Sequence, residues 1–363
     1  MSGSAARRRP GVVGLAKRKL PVGARSMELR QAKPVDPDVA EFLADVDRGL
    51  QPHLKSALER IPDLHPLKEG LTYQVMSGGK RIRAALCVTS SEVFGADGSR
   101  ALDFAATIEH LQNFTLIHDD IADGDTQRRY RESIWKRFGV AHGINIGDTF
   151  ALFASLGILD SDYPESEKLG LIKLVSEYGL EMIVGQALDI NMRRNDCVTE
   201  SEYMDCTRKK TGAFLAMAAV GGGIIGGAGA KDLSLLREFA LLAGTAFQIK
   251  DDILDIHGFK GRDTGSDILE GKRTLLLIHA LREGSPPDRI RLLQIVNKRR
   301  SLKTAEEVQW ACDFIRKTGA IEYAELVSTE LIHQACGYLF SLPDNEPKYR
   351  LIRIATYLSK RMH

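Results

Sequence analysis

Asp119-Asp120-Ile121-Ala122-Asp123 decides how this 363-residue chain is read, and Asp251-Asp252-Ile253-Leu254-Asp255 repeats its pattern. On a helix, residues i and i+4 point about 40° apart, so Asp119 and Asp123 share one face. Three acids so close repel one another, and a bare helix gains nothing from them. A hard cation reverses that sign. Mg²⁺ takes oxygen ligands and is held by one or two carboxylates plus substrate phosphates. The second copy sits in an otherwise apolar segment, Phe247-Gln248-Ile249-Lys250 before it and Ile253-Leu254 within it. Acids beside a core face are costly unless something pairs with them. One copy alone reads as a solvated acidic turn; two copies on two helical segments point to a metal site.

Outward from these motifs the pattern stays helical. Phe42, Leu43, Val46 and Leu50 recur at three- and four-residue steps, as do Leu236, Phe239, Leu242, Ala243 and Ala246. Breaks fall near Gly78-Gly79, Gly95–Gly98, Ser161–Ser166, Gly258–Gly265 and Ser285–Asp288. No run reads as strands joined by hairpins. The expected fold is all-α, ten or more helices over residues 35–363, with no internal linker or repeat.

Residues 1–34 read as a basic, disordered tail. The first 27 hold seven Arg or Lys and no acid, as an organelle transit peptide does, but only Ser2, Ser4 and Ser26 supply hydroxyls among the first 34. A net charge of +2 argues against nucleic acid as a partner. Cys87, Cys197, Cys206, Cys312 and Cys336 form no CxxC pair, which argues against zinc or a disulfide framework and for the reducing cytoplasm. Thr211–Ala230 runs 20 residues without a charge, the length of a membrane span, but seven of them are Gly. A buried helix in close contact with its neighbours is the expected reading, with no transmembrane span.

The basic residues complete the pattern. Lys80 and Arg83 lie one helical turn apart; Arg128 and Arg129 follow the first acid motif; Lys210 precedes the uncharged stretch; Lys272 follows Glu270-Gly271. Singly, each reads as a solvated surface cation. With the acids, they suggest a site for two polyphosphate groups, one bound through metal and one directly by Arg and Lys.

Gly78-Gly79-Lys80-Arg81-Ile82-Arg83, Leu116-Ile117-His118-Asp119-Asp120-x-x-Asp123, Arg128-Arg129, Gly147-Asp148, Gly185-Gln186-x-x-Asp189, Lys210-Thr211-Gly212 and Phe247-Gln248-x-x-Asp251-Asp252-x-x-Asp255 occur in one order. That order resembles the trans-isoprenyl (polyprenyl) diphosphate synthases, the farnesyl and geranylgeranyl diphosphate synthase family. The resemblance covers roughly residues 35–363. It implies the isoprenoid synthase fold, helices around a central cavity, as a homodimer. It implies two or three Mg²⁺ held by Asp119, Asp120, Asp123, Asp251, Asp252 and Asp255. Arg128, Lys210 and Lys272 would contact the allylic diphosphate. Lys80, Arg83 and Arg129 would hold isopentenyl diphosphate. Thr211, Gln186 and Gln248 would line the reacting carbons. Gln112 stands where many members carry a His that touches isopentenyl diphosphate. Tyr130 and Glu132 replace a usual Gly and Pro, and Arg262 stands near a usual Lys.

The implied chemistry is ionisation, condensation and elimination, with no side-chain nucleophile. Product length depends on residues N-terminal to Asp119, because helical side chains lean that way. Leu111, Phe114 and Thr115 fall there. One aromatic at Phe114 with a small Thr115 resembles the geranylgeranyl (C20) pattern; farnesyl or a longer product is the alternative, and Phe114 could also be ordinary core. A class I terpene cyclase is a rival reading: Asn195-Asp196-x-x-Thr199-x-x-Glu202 approaches its second metal motif but is one residue short. A non-catalytic regulatory subunit would have lost acids that this chain keeps. Gly221-Gly222-Gly223 lacks the lysine and preceding strand of a phosphate loop.

Overall fold

The apolar steps, the caps and the glycine breaks resolve into sixteen α-helices in a computed structural model that describes residues 37–258 and 264–360. They are α1 (Pro37–Glu59), α2 (Leu67–Val75), α3 (Ile82–Val93), α4 (Leu102–Asp123), α5 (Ile134–Phe138), α6 (Val140–Leu159), α7 (Glu165–Met192) and α8 (Glu200–Thr207). There follow α9 (Ala213–Ile225), α10 (Ala230–His257), α11 (Ser266–Glu270), α12 (Leu275–Glu283), α13 (Pro286–Val296), α14 (Ala305–Lys317), α15 (Ala320–Leu339) and α16 (Glu346–Lys360). The basic N-terminal segment and Arg262 lie outside the described residues.

Local chemistry sets the ends. Thr199 and Glu202 form a reciprocal capping box on α8, as Thr304 and Glu307 do on α14. The near-match to a cyclase metal motif at 195–202 is therefore a helix start. Ser285 caps α13, and Pro286-Pro287 fills its first positions, where no amide partner is needed. α4 and α10 end at Gly124 and Gly258, both at positive φ.

One departure from the all-helical expectation is a minimal hairpin, β1 (Gln127–Arg128) against β2 (Arg131–Glu132). Arg129 and Tyr130 form its turn with φ of 53° and 64°. Both central residues sit in the left-handed region, as the tight turns matched to strand twist require. Asn or Gly usually fills such positions, so nothing in this sequence announces the hairpin.

The larger core gathers α1, α3, α4, α6, α7, α9, α10 and α16; a second core joins the end of α10 to α11–α15. α9 is the buried helix expected from the uncharged stretch, with all but one of its thirteen residues inside. At about 1.5 Å per residue it spans roughly 20 Å, short of a bilayer core. Among the described residues no helix is long and apolar enough to cross a membrane. The glycines of α9 belong to helix packing. A Cβ on Gly221 would lie 2.0 Å from the Phe104 ring, and one on Gly222 would lie 2.1 Å from the Cys87 carbonyl oxygen.

Gly222→Ala should therefore lower stability by about 1–3 kcal/mol, because a backbone carbonyl cannot step aside. Gly170→Ala in α7, where a Cβ meets nothing within 4 Å, should raise it by about 0.5–1 kcal/mol. Chemical denaturation of the two variants checks this pair.

Candidate active site

Both acid motifs occupy the last turns of long helices, α4 and α10. That end of a helix is its negative pole, which disfavours carboxylates and favours cations. Cations surround them. Arg128 grips Asp120 through Nε at 2.8 Å and also through Nη2. Arg193 Nη2 bridges Asp123 at 2.8 Å and Asp189 at 3.1 Å. Lys210 Nζ donates to Asp189 at 3.0 Å. Lys272 Nζ lies 3.5 Å from Asp123, 3.1 Å from Asp267 and 2.5 Å from Glu270. Arg300 donates to the Asp123 carbonyl at 2.6 Å and to Asp125 at 3.0 Å.

The protonation equilibria divide the acids. Burial raises Asp119 above the usual carboxylate range, opposed by Lys210. Burial also lifts Asp120, to about 6, against the pull of Arg128. Asp123 feels the same burial, but Lys272, Arg193 and Lys210 outweigh it and hold the carboxyl at about 2. Lys272 is itself raised: its burial is outweighed by Asp267, Glu270 and Asp123.

The acids of the second motif sit in different surroundings. Asp252 is buried; it accepts from the Tyr203 hydroxyl at 2.7 Å and from Gln248 Nε2 at 2.9 Å. Burial, with Asp267 nearby, raises it well above the carboxylate range. Asp255 caps α11, accepting from the Ser266 amide at 3.1 Å, the Ser266 hydroxyl at 2.6 Å and the Asp267 amide at 3.0 Å. A carboxylate offers about four lone-pair sites, so these hydrogen bonds leave room for the metal role expected of Asp252 and Asp255.

Two features aim Lys210 and Thr211. Arg208–Gly212 forms a π-helical turn, a form frequent at functional sites. Glycines let it approach two helices: a Cβ on Gly185 of α7 would lie 2.3 Å from the Lys210 nitrogen, and one on Gly244 of α10 would lie 2.7 Å from the Gly212 Cα. Thr211 then donates to Gln248 at 2.9 Å, so hydroxyl, amide and Asp252 form one chain. Asp189, Lys210, Thr211, Gln248, Asp252 and Lys272 line a small cavity of about 50 Å³.

A second cation set lies at the α2–α3 turn. Arg81, at φ 52°, is fixed by Asp47 and Glu109, each at 2.7 Å. Its neighbours Lys80 and Arg83 flank it, and the Arg83 guanidinium lies 4.6 Å from the Phe214 ring centre. Arg129 reaches this turn from the hairpin, donating to the Ser77 hydroxyl at 3.0 Å and to the Gly78 carbonyl. The Oε1 atoms of Gln112 and Gln186 are buried without a hydrogen-bond partner. Higher on α4, Leu111 is buried, Thr115 bonds the Gln112 carbonyl at 3.0 Å, and the Phe114 ring lies 4.7 Å from His118. Gly147 of α6 makes room for that His118, since a Cβ there would lie 2.4 Å from its ring.

Among the described residues no group of three or more His, Cys, Asp or Glu is arranged to hold a metal unaided. The donors on offer are carboxylate oxygens, which fit a hard divalent ion that draws its other ligands from phosphate. Sequence reading gave no role to Asp189, Arg193, Tyr203, Asp267, Glu270 or Arg300. Arg193 carried a signal, one helical turn beyond Asp189; Arg300 carried none, arriving 177 residues after Asp123.

The sequence model of the polyprenyl synthetase family matches residues 65–315. A short chain isoprenyl diphosphate synthase of Methanothermobacter thermautotrophicus is 34% identical over 84% of this chain and 94% of its own. A geranylgeranyl pyrophosphate synthase of Geoglobus acetivorans is 33% identical over 80% of this chain and 89% of its own. The crystal structure of geranylgeranyl pyrophosphate synthetase from Pyrococcus horikoshii superposes with a TM-score of 0.79 at 31% identity, covering 88% of this chain and 98% of that one. An all-α isoprenoid synthase fold with two aspartate-rich helix ends defines a class of prenyltransferases. This chain belongs to the polyprenyl synthetase family, whose members use a divalent metal.

Glu270 offers a check on the electrostatics. Its side chain is 1% exposed, and burial raises its pKa from 4.5 to about 8 despite Lys272. Between those values the unfolded chain releases this proton before the folded one does, so the group's contribution to stability falls as pH rises. In metal-free protein, the melting temperature of Glu270→Gln relative to wild type should climb from about pH 5 to about pH 8. A pH-independent difference would contradict the assignment.

Proposed function

We propose that this enzyme condenses isopentenyl diphosphate with an allylic diphosphate, 1′-4, and releases geranylgeranyl diphosphate. The observation that carries the reading is two separate cation sets, one around the acid motifs and one at the α2–α3 turn. Asp119, Asp120, Asp123 and Asp251, with Asp252 and Asp255, would hold two or three Mg²⁺ ions with the allylic diphosphate. The bound metal supplies positive charge that stabilises the departing diphosphate. Lys210, Lys272 and Arg128 neutralise the same leaving group from the protein side. Arg128 lets go of Asp120 as it turns to phosphate. Lys80, Arg83 and Arg129 hold isopentenyl diphosphate, with the Gln112 amide alongside. The allylic cation forms, the isopentenyl double bond attacks it, and the released diphosphate takes the proton. Thr211, Gln248 and Gln186 face the developing charge with oxygen dipoles. Holding both substrates in line removes much of the entropic barrier.

Product length is assigned to Phe114, with Leu111 and Thr115, below the first acid motif. Relatives named for farnesyl and geranylfarnesyl products keep C15 and longer chains as alternatives. Residues 35–363 form the catalytic unit, and residues 1–34 a basic tail. Cytoplasmic residence is favoured by five cysteines, none of them paired. A second copy of this chain is the assigned partner for the apolar face of α6 and α7, where Leu152 is 66% and Leu180 65% exposed.

Incubation with isopentenyl diphosphate, Mg²⁺ and each allylic primer should yield C20 product; inactivity with every primer would sink the reading. Asp119→Asn and Asp251→Asn should each lower kcat by roughly 10²–10³-fold. Phe114→Ala should lengthen the product, as read by chromatography of the dephosphorylated alcohols. Leu152→Glu with Leu180→Glu should shift sedimentation from dimer to monomer.

A further inference from the structure

Lys303 follows the short 3₁₀ turn Arg300–Leu302 and spends its ammonium on main-chain carbonyls. Nζ donates to Ile268 at 2.6 Å, Leu269 at 2.8 Å and Val296 at 3.0 Å. These oxygens close the C-terminal ends of α11 and α13, where helices leave carbonyls unbonded and carry partial negative charge. Three donors on one point charge suit three converging acceptors; a planar guanidinium does not.

The two helix ends meet because of Gly271. It closes α11 at φ +74°, and a Cβ there would lie 2.8 Å from the Val296 carbonyl oxygen. The turn after α11 is then fastened from outside. Arg273 adds bonds to the Gly271 carbonyl at 2.8 Å and the Asn195 carbonyl at 2.9 Å. Between these fastenings Lys272 faces inward, toward Asp123, Asp267 and Glu270.

We propose that Lys303 is a positioning residue for Lys272, holding the Gly271–Lys272 turn so that the Lys272 ammonium meets the allylic diphosphate. This rests on the reading of Lys272 as a diphosphate contact. Lys303 touches none of the acid-motif residues and acts through backbone alone. The charged groups around it are Arg273 of the turn, Arg300 of the 3₁₀ segment, Glu270 of α11 and Glu307 of α14. Burial, and then Arg273, push Lys303 down to about 8. Above that pH it becomes a neutral amine with one donor fewer, and the three carbonyls are no longer all bonded.

The test is a cycle of Lys303→Met, Lys272→Ala and the double variant, with kcat and both KM values measured across pH. Lys303→Met should raise the allylic KM roughly tenfold, the scale for a group that orients another, and leave the isopentenyl KM unchanged. In the Lys272→Ala background the same change should add nothing. The wild-type allylic KM should climb above about pH 8, and that climb should vanish in Lys303→Met. Equal rises in both KM values, or additive effects in the double variant, overturn the proposal. An unchanged allylic KM in Lys272→Ala itself overturns the diphosphate reading of Lys272 and this proposal with it. Should Lys303→Met fail to fold, Lys303→Gln, which keeps two donors, goes through the same cycle under the same criteria.

Discussion

The half-buried ammonium of Lys272, set among Asp123, Asp267 and Glu270, is the interaction on which the site depends. Carboxylates drawn out of water cost several kcal/mol each unless matched by charge or protons. This protein uses both remedies. Asp123 is kept ionised by Lys272 and Arg193, whereas burial, with Asp267 nearby, draws Asp252 toward its protonated form against the hydrogen bonds of Gln248 and Tyr203. On the proposed reading, a diphosphate with divalent ions would bring its own positive charge to the acids and its own negative charge to the lysines. The resting ion pairs can then exchange partners, so the site does not have to be assembled at the moment of binding.

The backbone around these charges is organised to release few degrees of freedom. Arg81 stands in a left-handed conformation that its two acid partners stabilise. The hairpin carries Arg128 and Arg129 on adjacent residues, one toward Asp120 and the other toward the Gly78 carbonyl. A single short turn thereby links the acid cluster to the cation set of the α2–α3 loop.

The all-helical architecture was legible in the sequence because three- and four-residue spacing is a local property. The acid motifs and most of the cations were legible because they come in tight groups. The separate hydrogen-bond partners of Asp252 and Asp255 were not, since acids at motif spacing look alike until Tyr203 and Ser266 reach them. Arg300 and Lys303 were invisible for the same reason: each acts on backbone far away in sequence, and neither sits in any pattern. The hairpin escaped because its turn residues, Arg129 and Tyr130, are not the ones that usually take positive φ.

The glycine contacts about the π turn also bear on how such a protein can diversify. With Gly185 against the Lys210 backbone and Gly244 against Gly212, α7, the turn and α10 meet backbone to backbone, with no room for a side chain between them. On the proposed assignment of product length, variation falls where side chains can be exchanged without moving backbone, at Leu111, Phe114 and Thr115 of α4. Chemistry and product size can then be inherited as nearly independent traits.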